Sequence, residues 1–117
     1  MAHIEVMDGR GLLLDLADRG GDALVMLGTP ACGACRRARQ VLAGMGEADL
    51  GGPGLIVASV DATHAMGLVN EWEVRHFPAL VLVRAGDPWA RVSATLDVAA
   101  LSAAIQAARG GPPDDAL

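Results

Sequence analysis

Three apolar runs bounded by glycine, proline or charged residues, at 23–27, 55–60 and 79–84, restrict this chain more than any other feature. Ala23-Leu24-Val25-Met26-Leu27 lies between Gly20-Gly21-Asp22 and Gly28-Thr29-Pro30, the pattern of a central strand covered on both faces. Leu55 to Val60 resumes as a strand that ends at Asp61. Helical spacing fills the intervals: Leu12, Leu13, Leu16 and Ala17 in 9–19, Ala38, Val41, Leu42 and Met45 in 32–45, and Ala65, Met66, Leu68, Val69 and Trp72 in 63–73. With a short edge strand at 3–7, the order is strand, helix, strand, helix, strand, helix. That alternation predicts an α/β layer whose neighbouring parallel strands are joined by right-handed crossovers.

The pattern changes after Phe77-Pro78. Strands at 79–84 and 89–93 are separated only by Ala85-Gly86-Asp87-Pro88, and so short a link requires an antiparallel hairpin. Asp97 then caps a last helix carrying Val98, Leu101, Ile105 and Ala108, which Gly110-Gly111-Pro112-Pro113 stops. Residues 46–54 hold four glycines and Pro53 and read as a surface loop. The whole is one domain over 1–110 with a disordered tail at 111–117; its 52% apolar content suffices for a core without staples.

A net charge of −5, with no basic run longer than Arg36-Arg37, argues against nucleic acid and membrane surfaces as partners. All nine basic residues are arginine, so no lysine is present for Schiff-base chemistry or to tune an acid. The amino terminus lacks the basic start and apolar centre of a signal peptide, and no apolar stretch would span a bilayer. The expected location is the cytoplasm, where a lone cysteine pair is more often catalytic or metal-binding than a staple.

Both cysteines fall in Cys32-Gly33-Ala34-Cys35, where the central strand gives way to an Arg-studded helix. Thiols at this spacing can close a small disulfide ring, and the unpaired N–H groups of a helix start favour a thiolate. Half of a zinc site is the competing chemistry, but it needs two more ligands, and His3, His64 and His76 are not spaced as a second pair. Inert buried thiols are the third reading. Arg36, Arg37 and Arg39 follow the pair and would favour a thiolate if near it, although charges early on a helix usually form its solvated face. Trp72 and Trp89 read as packing residues, and Asp61 as a turn or helix-start residue.

The strand leading into Cys32-Gly33-Ala34-Cys35, the strand ending in Val60-Asp61, the segment Val74-Arg75-His76-Phe77-Pro78-Ala79-Leu80, and the final hairpin and helix with Gly86 in its turn resemble the thioredoxin family over nearly the whole length. The resemblance implies a thioredoxin-like fold, a mixed central β-sheet flanked by helices. It also implies thiol-disulfide exchange with protein disulfides and dithiols, with Cys32 the exposed nucleophile, Cys35 the buried resolving thiol, and no cofactor or metal. Pro78 would be a cis-proline facing the pair. Phe77 would offer backbone hydrogen bonds to a client, in a groove completed by Ala31, Gly33 and Ala34. Arg36 and His76 are candidate modulators, and a thioredoxin reductase is a candidate electron donor.

Departures from the family's pattern accompany it. Ala31 stands where thioredoxins have Trp, Ala34 where they have Pro, Met26 where they have a buried acid, Val57 where its partner lysine falls, and Ala79 where Thr is common. They predict a slower resolution step. They also keep open a binding module that holds a client beside Pro78 without exchange chemistry.

Overall fold

The computed structural model describes residues 2–115. In chain order the elements are β1 (Ile4–Val6), α1 (Leu12–Arg19), β2 (Asp22–Gly28), α2 (Gly33–Ala43), β3 (Ile56–Asp61), α3 (Met66–Glu71), β4 (Ala79–Arg84), β5 (Asp87–Val92) and α4 (Val98–Gly110). The strands form one sheet in the order β1-β3-β2-β4-β5. β1, β3 and β2 run parallel, whereas β4 and β5 are antiparallel additions.

β2 is central, and every residue from Ala23 to Gly28 is buried. Its side chains alternate between two cores, as a strand with a period of two must when both faces are covered. Val25 and Leu27 join Leu12, Leu16, Val69 and Trp72 on the α1–α3 face. Leu24 and Met26 join Leu42, Leu82, Leu101 and Ile105 on the α2–α4 face. The indole N–H of Trp72 has no acceptor among the described residues. Burying so large a ring is worth about 4 kcal/mol, which outweighs the roughly 1–3 kcal/mol cost of one unmet donor.

The structure redraws several boundaries. The first helix begins at Leu12, since Gly11 has a φ of 72°. The helix expected over 63–73 is broken into a 3-10 turn, Ala62–His64, and α3. Asp61 caps that turn, its Oδ1 accepting from the Thr63 N–H at 3.0 Å. The final hairpin is tighter than the sequence suggested, because Asp87 and Pro88 belong to β5 and only Ala85 and Gly86 turn the chain. Both have positive φ, 50° and 85°, as a type I′ turn requires. At Gly86 a side chain is excluded twice, since a Cβ would also lie 2.6 Å from Ala17 Cβ.

Two stretches read as peripheral are tied in. Leu50, in the loop after α2, is buried, and its carbonyl accepts from Arg109 Nη1 at 2.6 Å. In the tail, Trp89 Nε1 donates to the Gly111 carbonyl at 3.1 Å, and the Asp114 N–H donates to the Trp89 carbonyl at 2.6 Å. The segment after α4 thus lies along β5 through these bonds; Ala116 and Leu117 fall outside the described residues.

Candidate functional site

β2 ends at Gly28, and the Cys32 N–H donates to the Thr29 carbonyl at 3.2 Å, closing a turn that swings the chain into α2. Cys32 is the N-cap of that helix, in an extended conformation with φ −83° and ψ 112°. Its Sγ accepts the Cys35 N–H at 3.1 Å, so a sulfur stands where a capping oxygen usually does. This N–H, one of the first-turn donors that lack helical acceptors, and the positive end of the helix dipole favour negative charge on the sulfur when it is reduced.

The structure joins Cys32 and Cys35 in a disulfide, their Cα atoms 5.2 Å apart. Their surroundings differ sharply. Cys35 is fully buried whereas Cys32 is half-exposed, with Ala31, Gly33 and Ala34 exposed around it. Such a pair can present one sulfur to a large partner while withholding the other.

Gly28 was not singled out by the sequence reading, yet it seats the buried thiol. A Cβ added there would meet Cys35 Sγ at 2.9 Å and Cys35 Cβ at 3.1 Å, so α2 lies against bare backbone at the end of β2. Its one sequence signal is a glycine closing an otherwise large-apolar run.

The same strand end places the proline. The β2–β4 register pairs Leu27 with Ala79, which brings Pro78 level with Gly28 and hence beside the seat of Cys35. The Phe77–Pro78 peptide is cis. Phe77 is half-buried against the α1–α3 core. His76 is exposed and shares a surface hollow of about 370 Å³ with Arg75, Pro78, Arg91 and Ser93. Arg36 is exposed and forms no hydrogen bond to either sulfur.

Met26 and Val57 are both buried in the core beneath α2. Among the described residues Ser59 is the only buried polar side chain, so the interior beside Cys35 offers no carboxylate or amine. Nor do the described residues group three His, Cys, Asp or Glu side chains where a metal ion could be held.

A mixed sheet of this order, with a Cys-x-x-Cys pair capping the helix that follows the central strand, defines a thioredoxin-fold domain bearing a disulfide capable of redox chemistry. The family model described as Thioredoxin matches residues 14–107, and the chain belongs to that family. Among solved structures it is similar to a mutant thioredoxin from Halobacterium salinarum NRC-1, with a TM-score of 0.72, 23% identity and 95% of each chain covered. The first thioredoxin domain of mouse protein disulfide-isomerase A4 gives a TM-score of 0.72 at 18% identity, covering 94% of this chain and 80% of that one. Human ERp44 in a zinc-bound form gives 0.69 at 17% identity; the match covers 89% of this chain but only 30% of that one. At such identities the likeness is one of fold. Comparison with curated proteins gives no match.

Proposed function

We propose that this protein exchanges thiols and disulfides with protein clients, Cys32 acting as the nucleophile and Cys35 as the resolving thiol. The observation that carries this reading is the asymmetry of the pair: a half-exposed sulfur capping a helix, bonded to a fully buried one. In the reduced form the Cys32 thiolate attacks one sulfur of a client disulfide and expels the other as a thiolate. Cys35 then attacks Cys32 within the mixed disulfide, releasing the second client thiol and leaving the Cys32–Cys35 bond. Two electrons pass to the client, whose two sulfurs take up the protons.

Cys35 must lose its proton before it attacks. No buried acid is at hand among the described residues, so the proton passes to the departing client thiolate or to water. In a reducing cytoplasm, with a thioredoxin reductase returning electrons to the pair, exchange runs toward client reduction. Insulin reduction followed by turbidity tests the assignment: Cys32→Ser is expected to fall to the uncatalysed background. A Cys32→Ser protein as fast as wild type would end it. A Cys35→Ser protein is expected to accumulate cysteine-dependent mixed disulfides, whereas a pure binding module would form none.

A further inference from the structure

Arginine partners divide the molecule. Of nine arginines, Arg19, Arg84 and Arg109 each pair with a carboxylate, Glu5 or Asp22. Arg10, Arg36, Arg37, Arg39, Arg75 and Arg91 form no ion pair among the described residues, although the charge of Arg37 acts on Asp97. Arg36, Arg37 and Arg39 lie in the helix that Cys32 caps, and Arg75 and Arg91 line the hollow that begins at Pro78. Glu73 is the only carboxylate in that lining, set against two guanidinium groups and His76. Arg91 is held in place, its Nη2 donating to the Trp72 carbonyl, while Arg75 is exposed and unpartnered.

We propose that this hollow receives an acidic segment of the client flanking its reactive disulfide, with Arg75 and Arg91 facing the client's carboxylates. The proposal rests on the exchange reading and adds the chemistry of the client. Pro78 stands level with Gly28, the seat of Cys35, and also lines the hollow, so the hollow lies within reach of the chain flanking a client disulfide brought to the pair. Whole-molecule electrostatics oppose the proposal, because a net charge of −5 repels acidic clients and draws basic ones. The two therefore predict opposite orders of reactivity.

The test uses symmetric disulfides of one short peptide in three versions, with Glu, Gln or Lys beside the cysteine. Each turnover converts one reduced protein and one peptide disulfide into the Cys32–Cys35 disulfide and two peptide thiols, so either sulfur is an equivalent target. At low ionic strength the Glu version is expected to react about five-fold faster than the Lys version, a ratio that two solvent-exposed charge contacts can supply. High salt should pull the ratio toward one. In Arg75→Glu it should fall to about one or below, each variant serving as its own reference. Equal rates for the three peptides, a faster Lys version, or a ratio untouched by Arg75→Glu would overturn the proposal.

Bis(2-hydroxyethyl) disulfide, small and uncharged, separates this failure from failure of the exchange reading. If it oxidises the dithiol while the peptides show no charge order, only the acidic-client inference falls. If neither it nor any peptide is reduced, the exchange reading falls and the inference with it.

Discussion

At the Asp22 end of β2 one carboxylate is shared by two arginines, whereas towards the Gly28 end Arg36, Arg37, Arg39 and Arg75 form no ion pair among the described residues. Asp22 accepts from Arg84 Nε at 2.8 Å and from Arg109 Nε at 3.0 Å, with only 12% of its side chain exposed. Arg84 also donates to the Arg109 carbonyl at 2.6 Å and lies 4.5 Å over the Trp89 ring, and Arg109 reaches Leu50. One carboxylate thus ties two strands, the final helix and the loop after α2. The opposite end has no such closure: bare backbone at Gly28 receives a buried thiol, and a hollow opens beside Pro78. Charge satisfaction holds one end shut, and its absence leaves the other free to meet a partner.

Asp22→Ala is the strongest challenge to this contrast. It strands two partly buried guanidinium groups and should cost about 2–3 kcal/mol in chemical denaturation. Insulin reduction should stay near wild type, and a large loss of exchange would show that the two ends are coupled. The pH dependence has a definite sign. Hydrogen bonding from Arg84, reinforced by Arg109 and opposed by desolvation, holds the Asp22 carboxyl below its ordinary range. A depressed folded pKa means that the folded state binds fewer protons in acid. Its stabilisation is complete above the unfolded value of about 4 and is lost as pH falls through the lower folded value. In Asp22→Ala this component of acid sensitivity should vanish from urea midpoints taken between neutral and acid pH.

Gly28→Ala probes the other end. Its Cβ needs a shift of several tenths of an ångström in α2 or β2, a cost of about 1–3 kcal/mol, and insulin reduction should slow because Cys35 loses its seat. Exchange at the wild-type rate would remove Gly28 from the site. Met26→Asp supplies the missing acid: by quench-flow, resolution of a mixed disulfide should quicken by about ten-fold or more. Equal resolution rates would show that the leaving thiolate suffices. The smallest effect is expected in the hairpin turn beside Asp22. Ala85 has a φ of 50°, and Ala85→Gly should stabilise the fold by up to about 1 kcal/mol without touching exchange.

Local pattern carried the element order far. The continuous apolar run of β2 announces a strand buried on both faces because alternate side chains enter two cores, and short links allow few topologies. Where local signals competed, boundaries moved. Asp61 offers its carboxylate to the Thr63 N–H, and that turn interrupts a helix whose apolar spacing alone looks continuous. The tail composition suggested fraying, but Gly111 and Asp114 exchange hydrogen bonds with Trp89, a partner more than twenty residues away.

By itself the sequence determined that two thiols stand three residues apart at the start of a helix fed by a buried strand. It also placed a proline ahead of a hairpin, and set apolar Met26 and Val57 where related proteins carry an acid and a lysine. These are matters of spacing and residue type, which the backbone's periodicity translates directly into position. The family resemblance implied that Cys35 is the buried sulfur and that Pro78 faces the pair, but only the tertiary structure decided that Gly28 is the seat of that sulfur. The grouping of Asp22 with Arg84 and Arg109, 62 and 87 residues along the chain, belongs there too. Such contacts depend on how the sheet and helices close over one another, and one-dimensional pattern carries no information on which distant side chains that closure brings within reach.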